Sequence, residues 1–397
     1  MTDALCHLVE DGNDVLELKL VQNEKDVDDG DKSFCTEMCH QVFGENENIF
    51  GYTDLHIKLF YTAGSLHTYL SIDYADKVEP TKSDGMQADD IEGAMRKVLA
   101  PGFTTNMDTF LSWVKKDETF VPYGKQIHAF TVTNSKFLLI YQIRKRKFEV
   151  YYSETSTPKF IDYHQRLQTF LLWYVDAASF IDVDDDRWSF FTVFEKTRSD
   201  DGGNRYWTAA YATVYRYYAY PRHSRPRISQ VLTMPPFRNL GLCTELLQAI
   251  YTHFVGSPEV VDMTVEDPSE DFQRIRDYVD AKNCQSLTSF LITLARIKLK
   301  VNKKQARRVY EILRLMNTYT SDKNAYLQYR LYVKNRLNAP FQKKKLEMRK
   351  LQKALKPEEY AATVNSINAG ETHARLSSQY AALELQYRRV IERLQQD

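Results

Sequence analysis

The chain has 397 residues, which is longer than one ordinary domain, so two or three domains are expected. Hydrophobic residues make up 43% of it and aromatic residues 13%, a composition that excludes a disordered chain. Net charge is zero, no apolar run approaches the roughly 20 residues that span a bilayer, and no secretory signal opens the chain, so neither membrane insertion nor secretion is expected.

Short strands and turn-rich segments alternate first along the chain. Period-two patterning predicts strands over 15–20 and 55–60, within a small mixed domain at residues 1–127. Longer strands and amphipathic helices then predict a second domain at residues 128–284. Its predicted helices span about 163–180, 242–254 and 268–279, and its predicted strands span 190–195, 207–218, 228–234 and 260–265.

The last part of the chain, residues 285–397, is helical in period and basic in composition, so we predict a helical domain there. Pro340, Pro357 and Gly370 are predicted to divide it into segments. Apolar residues of the last segment alternate by four and three, a seam that we expect to pack onto its own chain. They are Leu376, Tyr380, Leu383, Tyr387, Val390 and Leu394.

Charge is divided unevenly along this neutral chain. Residues 291–397 hold 23 Lys and Arg against 9 Asp and Glu, a net charge of +14, which leaves −14 for residues 1–290. An acidic body can attract a basic substrate, although two solvated surfaces of opposite sign would give the same totals.

The five cysteines are scattered and odd in number, which argues against a disulfide framework. Cys35, Cys39 and His40 are close enough in sequence to consider zinc, but no second Cys/His pair follows at finger spacing. Residues 182–193 begin like a calcium loop but have Arg187 at the glycine position and Val193 at the closing glutamate position. We therefore expect no metal.

Residues 227–247 read as a strand, a tight turn and the start of a helix. Such a turn can hold an anion, because small residues let backbone N–H groups approach and the helix N-terminus carries partial positive charge. One glycine before a helix is weak support by itself.

Residues 264–270 form an apolar strand that ends on adjacent carboxylates. Asp267, Pro268 and Glu270 are predicted to form a helix-capping box, which leaves Glu266 without a structural explanation. A lysine nucleophile must lose its proton before attack, and partial burial raises a carboxylate's pKa toward that task. Glu266, if partly buried, is therefore a candidate general base.

The motif Arg238-x-x-Gly241-x-Cys243 resembles the Gln/Arg-x-x-Gly-x-Gly/Ala acetyl-CoA loop of GNAT acetyltransferases, with Cys243 at the last small position. Nearly the whole chain is also similar to the catalytic subunits of type B histone acetyltransferases. The similar segments are 50–52, 63–66, 166–171, 178–185, 187–188, 219–221, 225–227, 264–269 and 387–394.

This resemblance implies an α+β fold: a GNAT core, which is a mixed sheet with flanking helices, between an N-terminal mixed domain and a C-terminal helical domain. It implies acetyl transfer from acetyl-CoA directly to lysines in the N-terminal tail of histone four. It also implies a WD-repeat histone chaperone of the retinoblastoma-binding type as partner, and a location in nucleus and cytoplasm.

The resemblance further implies roles for particular residues. Glu266 is the general base, with Asp267 and Asp176 as additional catalytic carboxylates, although a surface acid is an equal reading of Asp176. Residues implied to bind acetyl-CoA are Val231, Leu232, Thr233, Arg238, Asn239, Leu240, Gly241, Leu242, Cys243 and Thr244. Residues implied to bind the peptide are Glu45, Glu47, Trp188, Tyr215, Arg216 and Tyr217.

Three other functions fit parts of the sequence. The enzyme could acetylate other proteins or small amines. The basic runs 144–147 and 343–345 could bind nucleic acid, although neither contains an aromatic residue and we expect no direct sequence-specific binding. A cysteine hydrolase built on Cys243 or Cys284 has no local signature to support it.

Overall fold

A computed structural model describes residues 8–79, 85–133, 145–199, 202–287, 292–318, 322–354 and 369–396. Cys6, Arg144 and Pro357, which the sequence analysis considered, lie outside these residues. The chain divides into two compact units, Met1–Asp267 and Pro268–Asp397, which are described separately. The domain boundaries predicted at residues 127 and 284 remain predictions.

The first unit contains strands throughout its length. They are β1 (Val9–Asp11), β2 (Leu16–Val21), β3 (Ser33–Cys35), β4 (Asn48–Phe50), β5 (Tyr52–Thr53), β6 (His56–Thr62), β7 (Thr68–Asp73), β8 (Asp76–Lys77), β9 (Lys125–Thr133), β10 (Lys145–Glu154), β11 (Trp188–Arg198), β12 (Asn204–Ala219), β13 (His223–Thr233) and β14 (Thr264–Val265). Its helices are α1 (Gly12–Val15), α2 (His40–Phe43), α3 (Ile91–Val98), α4 (Met107–Asp117), α5 (Phe160–Leu167), α6 (Leu171–Tyr174) and α7 (Leu242–Val255).

The N-terminal part of this unit is built on a four-stranded sheet in the order β3-β2-β6-β7. One of its hydrophobic clusters joins Val21, Phe60 and Tyr69 of the sheet to Phe110 and Val114 of α4. Asn106 caps α4 by accepting a hydrogen bond from the Thr109 N–H, as expected for an N-cap asparagine. The two strands predicted from period-two patterning correspond to β2 and β6.

A six-stranded sheet forms the rest of the unit, in the order β14-β13-β12-β11-β10-β9. All its neighbours are antiparallel except β13 and β14, which run parallel, so the sheet is mixed. Helix α7 begins at Leu242, as predicted from the sequence, and packs against strands of this sheet. The predicted α+β class, a mixed sheet with flanking helices, is confirmed.

The helix predicted over residues 163–180 is different in the structure. It is divided into α5, a short 3₁₀ segment at Gln168–Phe170 and α6, and it ends at Tyr174. Val175 has an extended backbone and Ala177 has φ 53°, and neither conformation continues a helix. The predicted strand over 260–265 is also shorter, because only β14 forms.

The second unit is helical, as predicted. Its helices are α8 (Glu270–Gln285), α9 (Ile292–Lys298), α10 (Lys303–Met316), α11 (Lys323–Ala354) and α12 (Ala369–Gln396). The predicted seam is confirmed: Tyr380, Tyr387 and Val390 are buried, and α12 packs against α8, α10 and α11. The buried Glu311 carboxylate joins three of these helices, because it binds Arg336 through two hydrogen bonds of 2.6 and 2.7 Å and accepts one from the Tyr387 hydroxyl.

One predicted segment boundary in this unit was wrong, because helix α11 continues through Pro340. Helix α12 begins at Ala369, one residue before the boundary predicted at Gly370. A proline removes one hydrogen bond from a helix, and the good helix formers around Pro340 offset that loss. Within the ranges that the structure describes, no helix is both long enough and apolar enough to cross a membrane.

Candidate active site

The first feature of the site is the short pairing between β13 and β14. Arg227 lies beside Thr264 and Ile228 beside Val265, in parallel register. The Glu266 N–H then donates to the Ile228 carbonyl at 2.9 Å. Past this point, no strand among the described residues pairs with β13 on that side, and β13 continues toward α7 with an open edge. The two strands therefore leave a wedge between them, with Glu266 at its start.

Backbone N–H groups of β13 line this open edge. The Gln230 N–H donates to Thr213 Oγ1 at 3.1 Å, on the side of β12. Successive N–H groups of a strand point to opposite edges, so those of Val231 and Thr233 point into the wedge. Leu232 is buried and lies in register with Tyr211 of β12.

The Glu266 side chain lies at the start of the wedge and is exposed. Its Oε2 accepts a hydrogen bond of 2.8 Å from the Ser229 hydroxyl. Partial burial of this carboxylate was expected from the sequence, and that expectation was wrong. Because Glu266 lies beyond the last residue of β14, the sheet does not cover its side chain.

Asp267 is also exposed, and its backbone has φ 26°. The predicted capping box at this position was wrong. An N-cap residue needs an extended backbone, which Asp267 lacks, and Ser269 caps α8 instead by accepting from the Phe272 N–H at 3.2 Å. Asp267 therefore does not cap α8.

The turn between β13 and α7 has two residues in the left-handed region, Asn239 with φ 61° and Gly241 with φ 79°. The Gly241 carbonyl accepts from the N–H groups of Thr244 and Glu245, which starts α7 at Leu242. A Cβ placed on Gly241 would meet no atom within 4 Å. The turn is therefore open to solvent, and backbone conformation rather than crowding favours glycine there.

This arrangement fits the pyrophosphate and thioester ends of acetyl-CoA. The N-terminus of the 14-residue helix α7 carries partial positive charge and N–H groups that can bind a phosphate. The wedge edge of β13 leads directly into that turn. Cys243 is half-buried in the first turn of α7.

Arg238 of the same turn contacts the N-terminal part of the unit. Its guanidinium is hydrogen-bonded to the Glu37 carboxylate and lies over the Tyr174 ring, 5.1 Å from the ring centroid. The Tyr174 hydroxyl in turn donates to the Cys35 carbonyl at 2.8 Å. The turn is thus tied to the segment around residues 35–37.

The structure also connects Asp176 to Glu47, through His40. His40 Nε2 lies 3.3 Å from the Asp176 carboxylate, and His40 Nδ1 lies 3.6 Å from Glu47 Oε1. Glu47 accepts from the N–H groups of Cys39 and His40 and from the Asn13 amide. These hydrogen bonds, led by that of Cys39, lower the pKa of Glu47. Glu47 therefore fastens α2, while Asp176 is exposed.

The loop that carries Asp176 is held between α2 and β13. Gln41 of α2 donates to the Ala178 carbonyl and Gln230 of β13 donates to the Ser179 carbonyl, both at 2.8 Å. Glu45 lies exposed in the turn after α2. The loop that carries Asp176 is thus joined to both α2 and β13 by hydrogen bonds.

The aromatic candidates form a row across the sheet. Trp188 lies beside Tyr215, Tyr215 beside Arg227, and Arg227 beside Thr264. Directly paired residues share a face of a sheet, so this row leads across four strands to the residue two positions before Glu266. The Trp188 and Tyr215 rings meet edge to face with centroids 4.8 Å apart.

Arginines of the chain itself cover faces of these rings. The Arg187 guanidinium lies 4.9 Å from the centroid of the Tyr215 ring, and that of Arg227 lies 4.8 Å from the centroid of Tyr217. A substrate cation would have to use the remaining ring surface. Arg216 lies between the two tyrosines on β12, so strand alternation directs its side chain to the opposite face.

Sequence reasoning missed Ser229 and His40, which the structure places against candidate carboxylates. A serine inside an alternating strand and a histidine after two cysteines carry no pattern that points to these contacts. The register of β13 with β14 and the packing of α2 create them, and neither can be inferred from local sequence.

No group of three or more His, Cys, Asp or Glu side chains in the described part of the chain is arranged to hold a metal ion. Cys39 is buried, and burial together with the nearby Glu47 charge raises its thiol pKa to about 12. A thiol must be ionised to bind zinc, so this environment opposes metal binding.

Two family models match the chain. One, described as the N-terminus of the histone acetyl transferase HAT1, matches residues 8–176, and the other, the C-terminal part of the histone acetyltransferase type B catalytic subunit, matches residues 276–315. Residues 177–275, which contain the wedge and the turn, lie between these two matches.

Curated relatives cover almost the whole chain. The histone acetyltransferase type B catalytic subunit of Homo sapiens is 41% identical over 97% of this chain and 93% of its own length. That of Mycosarcoma maydis is 34% identical over 77% and 76%. A solved aminoglycoside acetyltransferase from a soil metagenome matches 36% of this chain and 89% of its own at 12% identity, with a TM-score of 0.24, which is too low to bear on fold or function.

Proposed function

Because this chain belongs to the family of type B histone acetyltransferase catalytic subunits, we propose that it acetylates lysine side chains in the N-terminal tail of histone four, with acetyl-CoA as the acetyl donor. Family membership makes the chain an acetyltransferase. The particular substrate, the donor and the mechanism are what the proposal adds.

One observation carries the mechanism: the segments that contain β13 and β14 separate at Glu266. The wedge supplies an open strand edge for the acetyl-bearing end of the donor, and the turn at Gly241 leads on to the N-terminus of α7 for its pyrophosphate. A lysine that enters from the Glu266 side would meet the thioester carbonyl directly. This supports a ternary complex without a covalent enzyme intermediate.

In the proposed reaction, Glu266 takes a proton from the lysine ammonium, directly or through a water molecule. The neutral amine attacks the carbonyl carbon of the thioester and the new C–N bond forms. The C–S bond then breaks, and the proton that the nitrogen loses passes to the leaving CoA thiolate, directly or through solvent. The carbonyl oxygen gains negative charge during attack, and the N–H groups of Val231 and Thr233 are the strand donors available to stabilise it. Asp176 and Asp267 are exposed carboxylates that would favour the approach of a cationic side chain.

A histone tail suits the charge and shape of this part of the molecule. Residues 1–290 carry a net charge of −14, and the Trp188 row ends beside the candidate base. An extended basic peptide could lie along this row with its reactive lysine over Glu266. The same proposal includes a WD-repeat histone chaperone as partner and a location in both nucleus and cytoplasm. These two points rest on the family resemblance.

The test is mass spectrometry of a histone four tail peptide after incubation with acetyl-CoA and the full chain. We expect lysine acetylation that depends on the enzyme and is lost when the lysines of the peptide are replaced by arginine. A panel of small amines and unrelated lysine peptides is assayed in parallel. Equal acetylation of that panel would mean that the enzyme accepts a broader range of amines than histone tails. It would not contradict the acetyltransferase chemistry.

A further inference from the structure

Glu266 is held at two points by consecutive residues of β13. Its backbone N–H donates to the Ile228 carbonyl at 2.9 Å, and its carboxylate Oε2 accepts from the Ser229 hydroxyl at 2.8 Å. The two contacts occur where the paired part of β13 ends. The side chain of the candidate base is therefore fixed at the place where the strands separate.

The register of the sheet brings these two side chains together. Arg227 and Thr264 are direct neighbours. Ser229 follows Arg227 by two residues on β13, and Glu266 follows Thr264 by two residues, one residue past the end of β14. Residues two apart in extended backbone point to the same face, which is the face of the Trp188 row, and there the Ser229 and Glu266 side chains meet. Their contact follows from strand pairing rather than from a chance meeting of long side chains.

We propose that Ser229 is a positioning residue for Glu266, an inference that rests on the proposed role of Glu266 as general base. Ser229 donates to Oε2, which leaves Oε1 to accept the lysine proton. When the base is protonated, that proton resides on Oε1 and the Ser229 donor keeps its acceptor. Ser229 itself gains or loses no proton during the cycle.

The hydrogen bond restrains an exposed glutamate side chain, which favours the productive orientation and raises the turnover rate. Loss of the hydroxyl should therefore lower kcat and leave KM for acetyl-CoA unchanged, and a variant that keeps the hydroxyl should restore kcat. A residue that only supported the fold would not produce this pattern.

The matched variants are Ser229→Thr, which keeps the hydroxyl, and Ser229→Val, which has the same shape without it. Both are β-branched and suit a strand. We expect Ser229→Val to lower kcat about three- to tenfold, the scale of one hydrogen bond to a charged group in an exposed setting. Ser229→Thr should restore kcat, and KM for acetyl-CoA should stay constant in both variants.

Ser224→Ala is the control, because Ser224 lies on the same strand beside Tyr218, away from the wedge. It should leave kcat unchanged. Equal losses of kcat in Ser229→Thr and Ser229→Val, or an unchanged kcat in Ser229→Val, would overturn the positioning role.

A double-mutant cycle separates this inference from the proposed base. Ser229→Val should have little further effect on kcat when Glu266 is already replaced by glutamine, because the acceptor of the proton is gone. If Glu266→Gln alone keeps normal turnover, Glu266 is not the general base, and Ser229 cannot act by positioning it. If Glu266→Gln is slow but Ser229→Val costs as much in that background as in the wild type, only the positioning role is overturned.

Discussion

The Arg238 guanidinium is hydrogen-bonded to the Glu37 carboxylate, so the turn before α7 and the N-terminal part of the first unit are joined by an ion pair. Arg238 is also the first residue of the GNAT-like motif. Its positive charge is therefore shared between an internal acid and the phosphate groups that the turn is proposed to bind.

Removal of that internal acid should strengthen acetyl-CoA binding. The side chains of Arg238 and Glu37 are 38% and 49% exposed, and pairs of this kind contribute only about 0–1 kcal/mol. Glu37→Gln should therefore lower the Kd for acetyl-CoA by at most about fivefold. Calorimetry would measure this change, with Glu92→Gln in the exposed Arg96 pair as control. Weaker binding in Glu37→Gln would mean that Glu37 orients Arg238 rather than competes for it.

Substitutions of Gly241 should weaken acetyl-CoA binding through backbone strain. Gly241 has φ 79° and open space around it, so the cost is conformational, about 1–2 kcal/mol for an L-residue. Calorimetry should rank the loss Gly241→Val above Gly241→Ala, with Gly241→Asn mildest. Gly256→Ala is the control, since Gly256 has equally open space but φ −70°. Equal affinity in all three Gly241 variants would exclude a role for turn geometry.

Much of the fold could be predicted from the sequence because local patterns determine it. Helix α7 begins at Leu242 as predicted, and the buried face of α12 is its apolar seam. The family resemblance, carried by motifs along the whole chain, is confirmed by relatives such as the human enzyme at 41% identity.

The predictions that were wrong concern features that depend on tertiary contacts. The apolar period through residues 163–180 continues past Tyr174, but the chain turns there because Gln168 and Gln230 hold the following loop with hydrogen bonds. The residues around Asp267 fit the sequence pattern of a capping box, but Ser269 is the residue that caps α8. The Ser229 contact with Glu266 depends on strand register, which no short motif records.

Glu266→Gln should keep acetyl-CoA binding and lower kcat by roughly ten- to ten-thousand-fold, the usual range for loss of a general base. Glutamine keeps the shape of the side chain and can still accept from the Ser229 hydroxyl. Steady-state kinetics with a histone four peptide would measure the loss, and calorimetry would check the donor site. Turnover equal to that of the wild type would remove Glu266 from the mechanism.

The buried His164 should make the protein less stable in acid. Burial lowers the pKa of its imidazole to about 3, against about 6.5 in an unfolded chain. The unfolded state therefore binds more protons between these values, and stability is lost as pH falls from about 6.5 toward 3. Thermal unfolding across this range should show a smaller loss in His164→Gln than in the wild type. His56→Gln, at an exposed position, should follow the wild type, and an unchanged slope in His164→Gln would refute the assignment.

Glu45 and Glu47 should have different roles: Glu45 should attract the basic peptide through its charge, and Glu47 should stabilise the fold. Glu45 is exposed, whereas Glu47 accepts hydrogen bonds from Cys39, His40 and Asn13. A tail rich in lysine and arginine should be attracted by the acidic body, so kcat/KM for the peptide should fall as salt rises to physiological strength, where the Debye length is about 8 Å.

Glu45→Gln should flatten that salt dependence and leave the melting temperature unchanged. Glu47→Gln should lower the melting temperature, because its amide group cannot accept all the hydrogen bonds that the carboxylate accepts. Acetyl-CoA affinity, which depends on short-range N–H contacts, should respond little to either variant. A peptide salt slope that ignores Glu45→Gln would mean that the turn after α2 is only a solvated surface, and a stable Glu47→Gln would mean that α2 does not depend on this carboxylate.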